Sequence, residues 1–322
     1  MKSTTINVGI SACVLGEKVR FDSGHKLNRF VANELTRHFS FLPVCPEVGI
    51  GLPVPRPAIR LISDQQRIAL VEAKNPDNDF TAPMQHYARQ KVAELSQHAL
   101  CGYIVCAKSP TCGMERVKVY KHNRADKEGV GLFARELMTQ MPWLPVEEDG
   151  RLNDPYLREN FVSRIYCLHD FYQSVGYETE ASKINAADVV AFHSRYKLTL
   201  MAHNPRMYKQ LGQMVATFRD YEPERFFYDY RLGLMQALTY RASRNNQTNV
   251  LMHIQGYFKR MLSRQEKQEL ARVIQDYRIG ELPVLAPITL IKHYLQAYPN
   301  NYLQQQRYLE PYPQALRLRY NL

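Results

Sequence analysis

Apolar residues fall into two rhythms along this chain. In the first part, short apolar runs alternate with stretches of helical spacing; from residue 187 onward every periodic segment is helical. Residues 6–12 form an apolar run that ends in a Ser-Ala-Cys turn, and residues 39–44 form a second that enters Cys45-Pro-Glu47. Between them Leu27, Phe30, Val31 and Leu35 share one face of a helix predicted over 27–38. Residues 48–57 hold too many Gly and Pro for either element, and 59–62 read as a third strand. A helix over 83–100, a buried strand over 102–107 and a helix over 129–141 close this part before the Pro142-Trp-Leu-Pro145 break. Strands alternating with helices predict an α/β domain with a largely parallel, Rossmann-like sheet.

The remainder reads as an all-α domain. Residues 149–189 are expected as a helical connector with a helix over 156–174, which sets the domains at 1–148 and 190–322. Asn204-Pro205 supplies an N-cap and a proline in the first turn for a helix reaching about residue 218. Helices over 226–243 and 248–262 follow. Ser263-Arg-Gln-Glu266 is a capping box for a helix ending at Gly280, and 287–298 is the last clear helix. The tail, with Pro311 and Pro313, is expected to wrap the bundle.

Charge sharpens this division. The chain has 322 residues and a net charge of +11. Residues 190–322 hold 19 Lys and Arg against 9 Asp and Glu, and also 14 of the 21 tyrosines. Basic residues interleaved with aromatics suit a polyanion whose bases stack, and equally suit a solvated basic face over core tyrosines. Arg195, Lys197, Arg206, Lys209, Arg241, Arg244, Lys259 and Arg260 are the candidate RNA-binding residues. Tyr196, Leu200, Met207 and Leu211 are expected in the core. No apolar run approaches the roughly 20 residues that span a bilayer, and residues 1–10 read as a strand rather than an export signal. The expected location is the cytoplasm, with no membrane partner.

In that compartment six cysteines are poor candidates for disulfides, and none forms a CxxC pair. Cys13, Cys45 and Cys112 each follow the C-terminal end of a predicted strand, where open parallel sheets bind ligands. Three thiolates suit a soft metal centre such as an iron–sulfur cluster and leave a fourth position unfilled. On spacing alone they equally read as buried, inert thiols.

Five fragments change that balance: Ser11-Ala-Cys-Val-Leu-Gly16, Val19-Arg-Phe-Asp22, Val44-Cys-Pro-Glu47, Gly51-Leu-Pro-Val-Pro-Arg56 and Lys108-Ser-Pro-Thr-Cys-Gly113. Their order and intervals resemble the thiouracil desulfidase family across residues 1 to about 145. From Phe192-His-Ser-Arg-Tyr-Lys197 to Pro287-Ile-Thr-Leu-Ile-Lys-His293 the chain resembles the helical domain fused to that family, a form associated with 4-thiouridine in tRNA. The resemblance implies that Cys13, Cys45 and Cys112 ligate a [4Fe–4S] cluster with one open iron. It places Glu47 as the catalytic carboxylate and Ser109 as a substrate-contacting hydroxyl. Thr111 stands where the family commonly has serine, and Cys101, Cys106 and Cys167 match no ligand position and are expected to be structural.

The implied reaction is non-redox: water replaces sulfur at C4 of 4-thiouridine, and hydrosulfide leaves. Read without the motif, Glu47 is a carboxylate for Arg56 or Arg20, and Ser109 a turn residue. Rival readings are a desulfidase of free thiouracil or thiouridine nucleotides, and a non-catalytic RNA-binding protein with a structural metal. A thiolase delivering sulfur to tRNA generally carries an ATP-binding loop, and no Gly-rich phosphate loop occurs in this sequence.

Overall fold

The computed structural model describes residues 5–64, 67–121 and 124–319. It divides into two compact units, Met1–Leu157 and Arg158–Leu322.

The first unit is built on a four-stranded sheet in the order β2-β1-β5-β8, with β1 Ile6–Ser11, β2 Phe39–Val44, β5 Gly102–Val105 and β8 Val146–Glu148. Every pairing in it is parallel, so all four strands end on the same edge. Val8, Ile10, Ile104 and Val105 are fully buried, as the unbroken apolar runs of a parallel sheet require. Because β1 is central, the residues that follow β1, β2 and β5 emerge side by side.

A second sheet was not legible in the sequence. It has the order β4-β3-β6-β7, from β3 Ile59–Asp64, β4 Arg67–Glu72, β6 Val117–Lys121 and β7 Arg124–Gly129. Only β3 and β6 run parallel; the outer pairs are antiparallel. Its apolar face, with Leu61, Leu70, Val117 and Val119, packs with Met84 of the helix Thr81–Ser96 and Leu132 of the helix Leu132–Gln140. The helix expected over 27–38 is shorter and broken. Asn28 caps Arg29–Asn33 by accepting from the Val31 amide, and a separate 3₁₀ turn, Leu35–Arg37, follows.

The second unit is helical throughout its described residues. Its long helices are Pro155–Val175, Ala186–His203, Pro205–Ala216, Pro223–Thr239, Arg244–Tyr257, Arg264–Ile279 and Leu285–Ala297. The stretch expected as a connector holds the first of these, which buries Phe161, Ile165, Leu168 and Phe171. Asn204 and Ser263 cap as their sequence context predicts, the latter in a complete capping box closed by left-handed Gly280. Ser243, expected at the end of a helix, is instead the N-cap of the next and accepts from the Asn246 amide. The tail is fastened by Arg319, which donates to Glu159 at 3.1 Å, and by Gln306, which donates to the Ser194 carbonyl at 2.9 Å. No helix among the described residues is long and apolar enough to cross a membrane.

Candidate active site

The edge where β1, β2 and β5 end opens into a cavity of about 330 Å³, within the range of small-molecule sites. Cys13, Cys45 and Cys112 all line it, together with Glu47 and Ser109. A location beyond the carboxyl ends of parallel strands is the usual ligand position in such sheets.

Each cysteine is held by its own turn. Cys13 lies in the short helix Ala12–Leu15, closed by Gly16 in the left-handed region at φ 107°, a conformation that costs glycine little. The Lys26 amide donates to the Cys13 carbonyl at 2.8 Å and fixes the turn from behind. Cys45 precedes the turn Pro46–Gly49, which carries Glu47 back toward the Cys45 thiol. Cys112 sits in a loop clamped by the start of the helix Leu132–Gln140: the Leu132 amide donates to the Pro110 carbonyl, and those of Phe133 and Ala134 to the Thr111 carbonyl. Gly131 allows this approach, since a Cβ there would lie 2.4 Å from the Thr111 carbonyl oxygen.

One hydrogen-bonded chain joins the loops. Thr111 donates from Oγ1 to Glu47 Oε1 at 2.6 Å, and Ser109 Oγ lies 2.9 Å from Thr111 Oγ1. Thr111 has a single hydroxyl proton, so with it committed to Glu47 the Ser109 hydroxyl donates to Thr111. Ser109 Oγ also accepts from the amides of Thr111 at 3.3 Å and Cys112 at 3.1 Å. It is thus the turn residue and a cavity residue at once. The other Glu47 oxygen takes the Cys45 thiol at 3.3 Å and lies 3.9 Å from the Arg56 guanidinium. Arg56 is itself locked, donating to the Val19 carbonyl at 3.0 Å.

Two residues missed by sequence reasoning brace the site. Asp149, buried just after β8, accepts from the Ala107 amide at 2.7 Å and from Lys26 Nζ at 3.1 Å. Lys26, which lines the cavity, thereby braces the loop that carries Ser109 and Cys112. The third difference concerns Cys106, expected to be structural. Cys101 and Cys167 are buried and do not line the cavity, but Cys106 lines it together with Cys13. The only signal was its position, directly after a buried strand like the other cavity cysteines.

The electrostatics favour an added cation. The hydrogen bond with Cys106, then burial, pushes the Cys13 thiol far up, while the same bond draws Cys106 down. Burial and then the Glu47 carboxylate push Cys45 up to about 11, and the same two causes raise Cys112 well above the ordinary thiol value. Thiols this reluctant to ionise release their protons to a metal, whose charge inverts the local preference. Tyr103 on β5 is fully buried, its hydroxyl has no hydrogen-bond partner, and it feels the charge of Cys112, Cys45 and Cys13. Among the described residues, no three such side chains converge as a single ion requires. A cubane has a different demand, thiolates spread over separate irons, and three soft donors around one cavity fit it.

A parallel α/β sheet presenting several thiols and a hydrogen-bonded carboxylate at its ligand edge has the make-up of a thiol-based ligand or soft-metal site, and comparison with known proteins narrows the class. Residues 8–149 match the 2-thiouracil desulfurase family, and residues 197–313 match a family described only as a protein of unknown function, DUF1722. The chain is 36% identical over 164 residues to the uncharacterized protein YbgA of Escherichia coli (strain K12), covering 51% of this chain and 94% of that protein. A solved structure of TudS, described as a [4Fe-4S]-dependent thiouracil desulfidase, is 24% identical with a TM-score of 0.37, covering 47% of this chain and 95% of that one. The chain thus carries a 2-thiouracil desulfurase domain over residues 8–149 and a DUF1722 region over residues 197–313.

Of the candidate RNA-binding residues, Arg195 pairs with Asp170 at 3.3 Å, and Arg244 donates to the Tyr277 carbonyl while lying over the Tyr277 ring. Lys197 is half-buried. Arg206, Lys209, Arg241, Lys259 and Arg260 are exposed. Tyr257 and Met261, close in sequence to Lys259 and Arg260, are exposed as well.

Proposed function

We propose that this protein is a [4Fe–4S]-dependent, non-redox desulfidase that converts 4-thiouridine in tRNA to uridine with release of hydrosulfide. The observation that carries the reading is the convergence of Cys13, Cys45 and Cys112 on one cavity whose wall also holds Ser109 and Glu47, connected behind it through the buried Thr111. Cys13, Cys45 and Cys112 would hold the cluster. When bound, the cluster supplies an iron without a protein ligand, a Lewis acid for the soft thiocarbonyl sulfur.

The remaining work belongs to the chain's own side chains. Glu47 takes the proton of the attacking water, directly or through Thr111 and Ser109, and returns it to the departing sulfur. Arg56 keeps Glu47 oriented, since its two carbonyl acceptors and the 3.9 Å ion pair leave it little freedom. Lys26 and Asp149 hold the loop on which Ser109 sits. No electron transfer is needed, because sulfur leaves in the oxidation state in which it entered.

The tRNA substrate is supported by the charge of residues 190–322 and by the exposed cations Arg206, Lys209, Lys259 and Arg260. A base in folded RNA is stacked, so it must be extruded to reach a cavity, and a basic surface holding the backbone makes extrusion affordable. The test is an anaerobic assay of the cluster-loaded full chain against thiolated tRNA and against free 4-thiouracil. Replacing Arg206, Lys209, Lys259 and Arg260 together with Glu is expected to raise KM for tRNA by more than roughly tenfold and to flatten its salt dependence. Free-base turnover should stay unchanged. Equal loss on both substrates, or none on tRNA, would favour a desulfidase of the free base.

A further inference from the structure

We propose that Cys13 and Cys106 form a redox modification site: in the chain without its cluster, peroxide joins them in a reversible disulfide that withholds Cys13 from the cluster.

The pairing follows from strand register. β1 and β5 run parallel with Ile10 opposite Ile104, so Cys106 emerges beside Ala12 and next to the turn that carries Cys13. The Cys106 amide is tied to Ser11 Oγ at 3.0 Å, which holds the two chain segments together just where the thiols lie. Adjacent strands are about 4.8 Å apart, a spacing compatible with the Cα separations of disulfides. Cys13 and Cys106 share one cavity wall. The other two cavity cysteines are turned toward side-chain oxygens, whereas the Cys106 thiol has the carbonyl of its own neighbour Ala107 at 3.9 Å. Cys45 faces Glu47 Oε2 at 3.3 Å, and Cys112 lies 3.6 Å from Thr111 Oγ1. Cys13 is also the half-buried member of its pair, open to a small oxidant, while Cys106 is only 5% exposed and waits behind it.

The chemistry balances with peroxide as the oxidant. One sulfur of the pair attacks the O–O bond; a sulfenic acid forms there and water leaves. The other sulfur then attacks it, an S–S bond forms and a second water departs. The two thiols give up two electrons and two protons, and peroxide is reduced to two waters. A dithiol reverses the modification by exchange. Without a neighbouring thiol, the sulfenic acid at Cys13 proceeds to sulfinic acid, which thiols do not repair. The consequence for the cluster rests on the functional reading above: an oxidised Cys13 removes one of the three ligands, and disulfide formation keeps that loss recoverable.

The test uses the full-length chain stripped of metal by chelation, treated with a small excess of hydrogen peroxide, alkylated and digested without reduction. Two of the six free thiols should disappear, and the dominant cross-link should join the peptides carrying Cys13 and Cys106. Fragment ions must separate Cys106 from Cys101, which shares its tryptic peptide. A dominant link from Cys13 to Cys45 or Cys112, or sulfinic acid at Cys13 with no cross-link, would overturn the proposal. In Cys106→Ser, Cys13 should accumulate sulfinic acid. After dithiol treatment that variant should take up less than about half the iron and sulfide regained by the oxidised wild type. Equal recovery by the variant would also overturn it. The peptide map needs no cluster, so a wild-type chain that never loads iron would sink the functional reading while leaving the pairing to be decided on the peptides alone.

Discussion

Thr111→Val removes one atom's worth of chemistry from the centre of the site. Thr111 is fully buried and donates to Glu47 at 2.6 Å while receiving Ser109 at 2.9 Å. Valine fills nearly the same space, so the loop clamped by the Leu132–Gln140 helix has no steric reason to move. What is lost is a hydrogen bond to a carboxylate, about 1.5–3 kcal/mol when one partner is charged. Glu47 keeps Arg56 at 3.9 Å, so it remains oriented without its link to Ser109. At about 1.36 kcal/mol per tenfold, kcat should fall roughly 10- to 100-fold. The assay is anaerobic sulfide release from thiolated RNA, with iron counted on the same sample so that cluster loss is not mistaken for lost turnover. Thr111→Ser keeps the hydroxyl and should stay within about threefold of wild type. A valine variant turning over at the wild-type rate with its iron intact would refute the relay. So would a serine variant as slow as valine, since the missing methyl rather than the hydroxyl would then be responsible.

Glu47→Gln keeps a partner for Thr111 but removes the proton acceptor; kcat is expected to fall by about 10²–10⁴ with iron content unchanged, read by the same paired assay. A second prediction concerns acid stability. Burial, with Lys197 adding, holds the His193 pKa down at about 4, against an ordinary value of 6.5. Between those values the unfolded chain takes up a proton that the native chain refuses. The stabilisation is therefore complete above pH 6.5 and declines by up to about 3 kcal/mol as pH drops toward 4. In His193→Gln, denaturant midpoints measured from pH 7 to 4 should decline less steeply than in the wild type. An identical slope would remove His193 as the cause.

Much of this architecture is readable from residue pattern, for definable reasons. The strands of the parallel sheet are buried on both faces and so appear as unbroken apolar runs, as in Ile6–Ser11 and Gly102–Val105. The second sheet escaped because its strands are short and charge-rich. In Val117–Lys121 only Val117 and Val119 are buried, and Arg124–Gly129 shows mostly exposed polar residues. Five or six residues with so few buried positions carry too little alternation to stand out. At the site, the strand-end position of Cys13, Cys45 and Cys112 was visible, because chain order fixes which residues follow a strand. Side-chain direction was not. Nothing in the local sequence says that Thr111 turns to Glu47 rather than to Cys112, that Asp149 reaches across to Lys26, or that Cys106 faces Cys13. Those contacts join segments tens of residues apart and exist only once the loops are assembled. Ser243 illustrates a local miss: Arg241-Ala-Ser243 continues a helical pattern, yet serine's oxygen competes for backbone amides and starts a new helix instead.

The central claim is that three thiolates cradle a cluster whose open corner takes the sulfur to be expelled. The most direct measurement is iron and sulfide per chain after anaerobic reconstitution, together with hydrosulfide and uridine formed from 4-thiouridine tRNA by the same sample. The wild type should hold about four iron and four sulfide and yield hydrosulfide and uridine in equal amounts without added reductant. Alanine at Cys13, Cys45 or Cys112 should abolish both binding and turnover. A chain that retains a full cluster after any one of these replacements, or that turns over with no iron at all, would contradict the account.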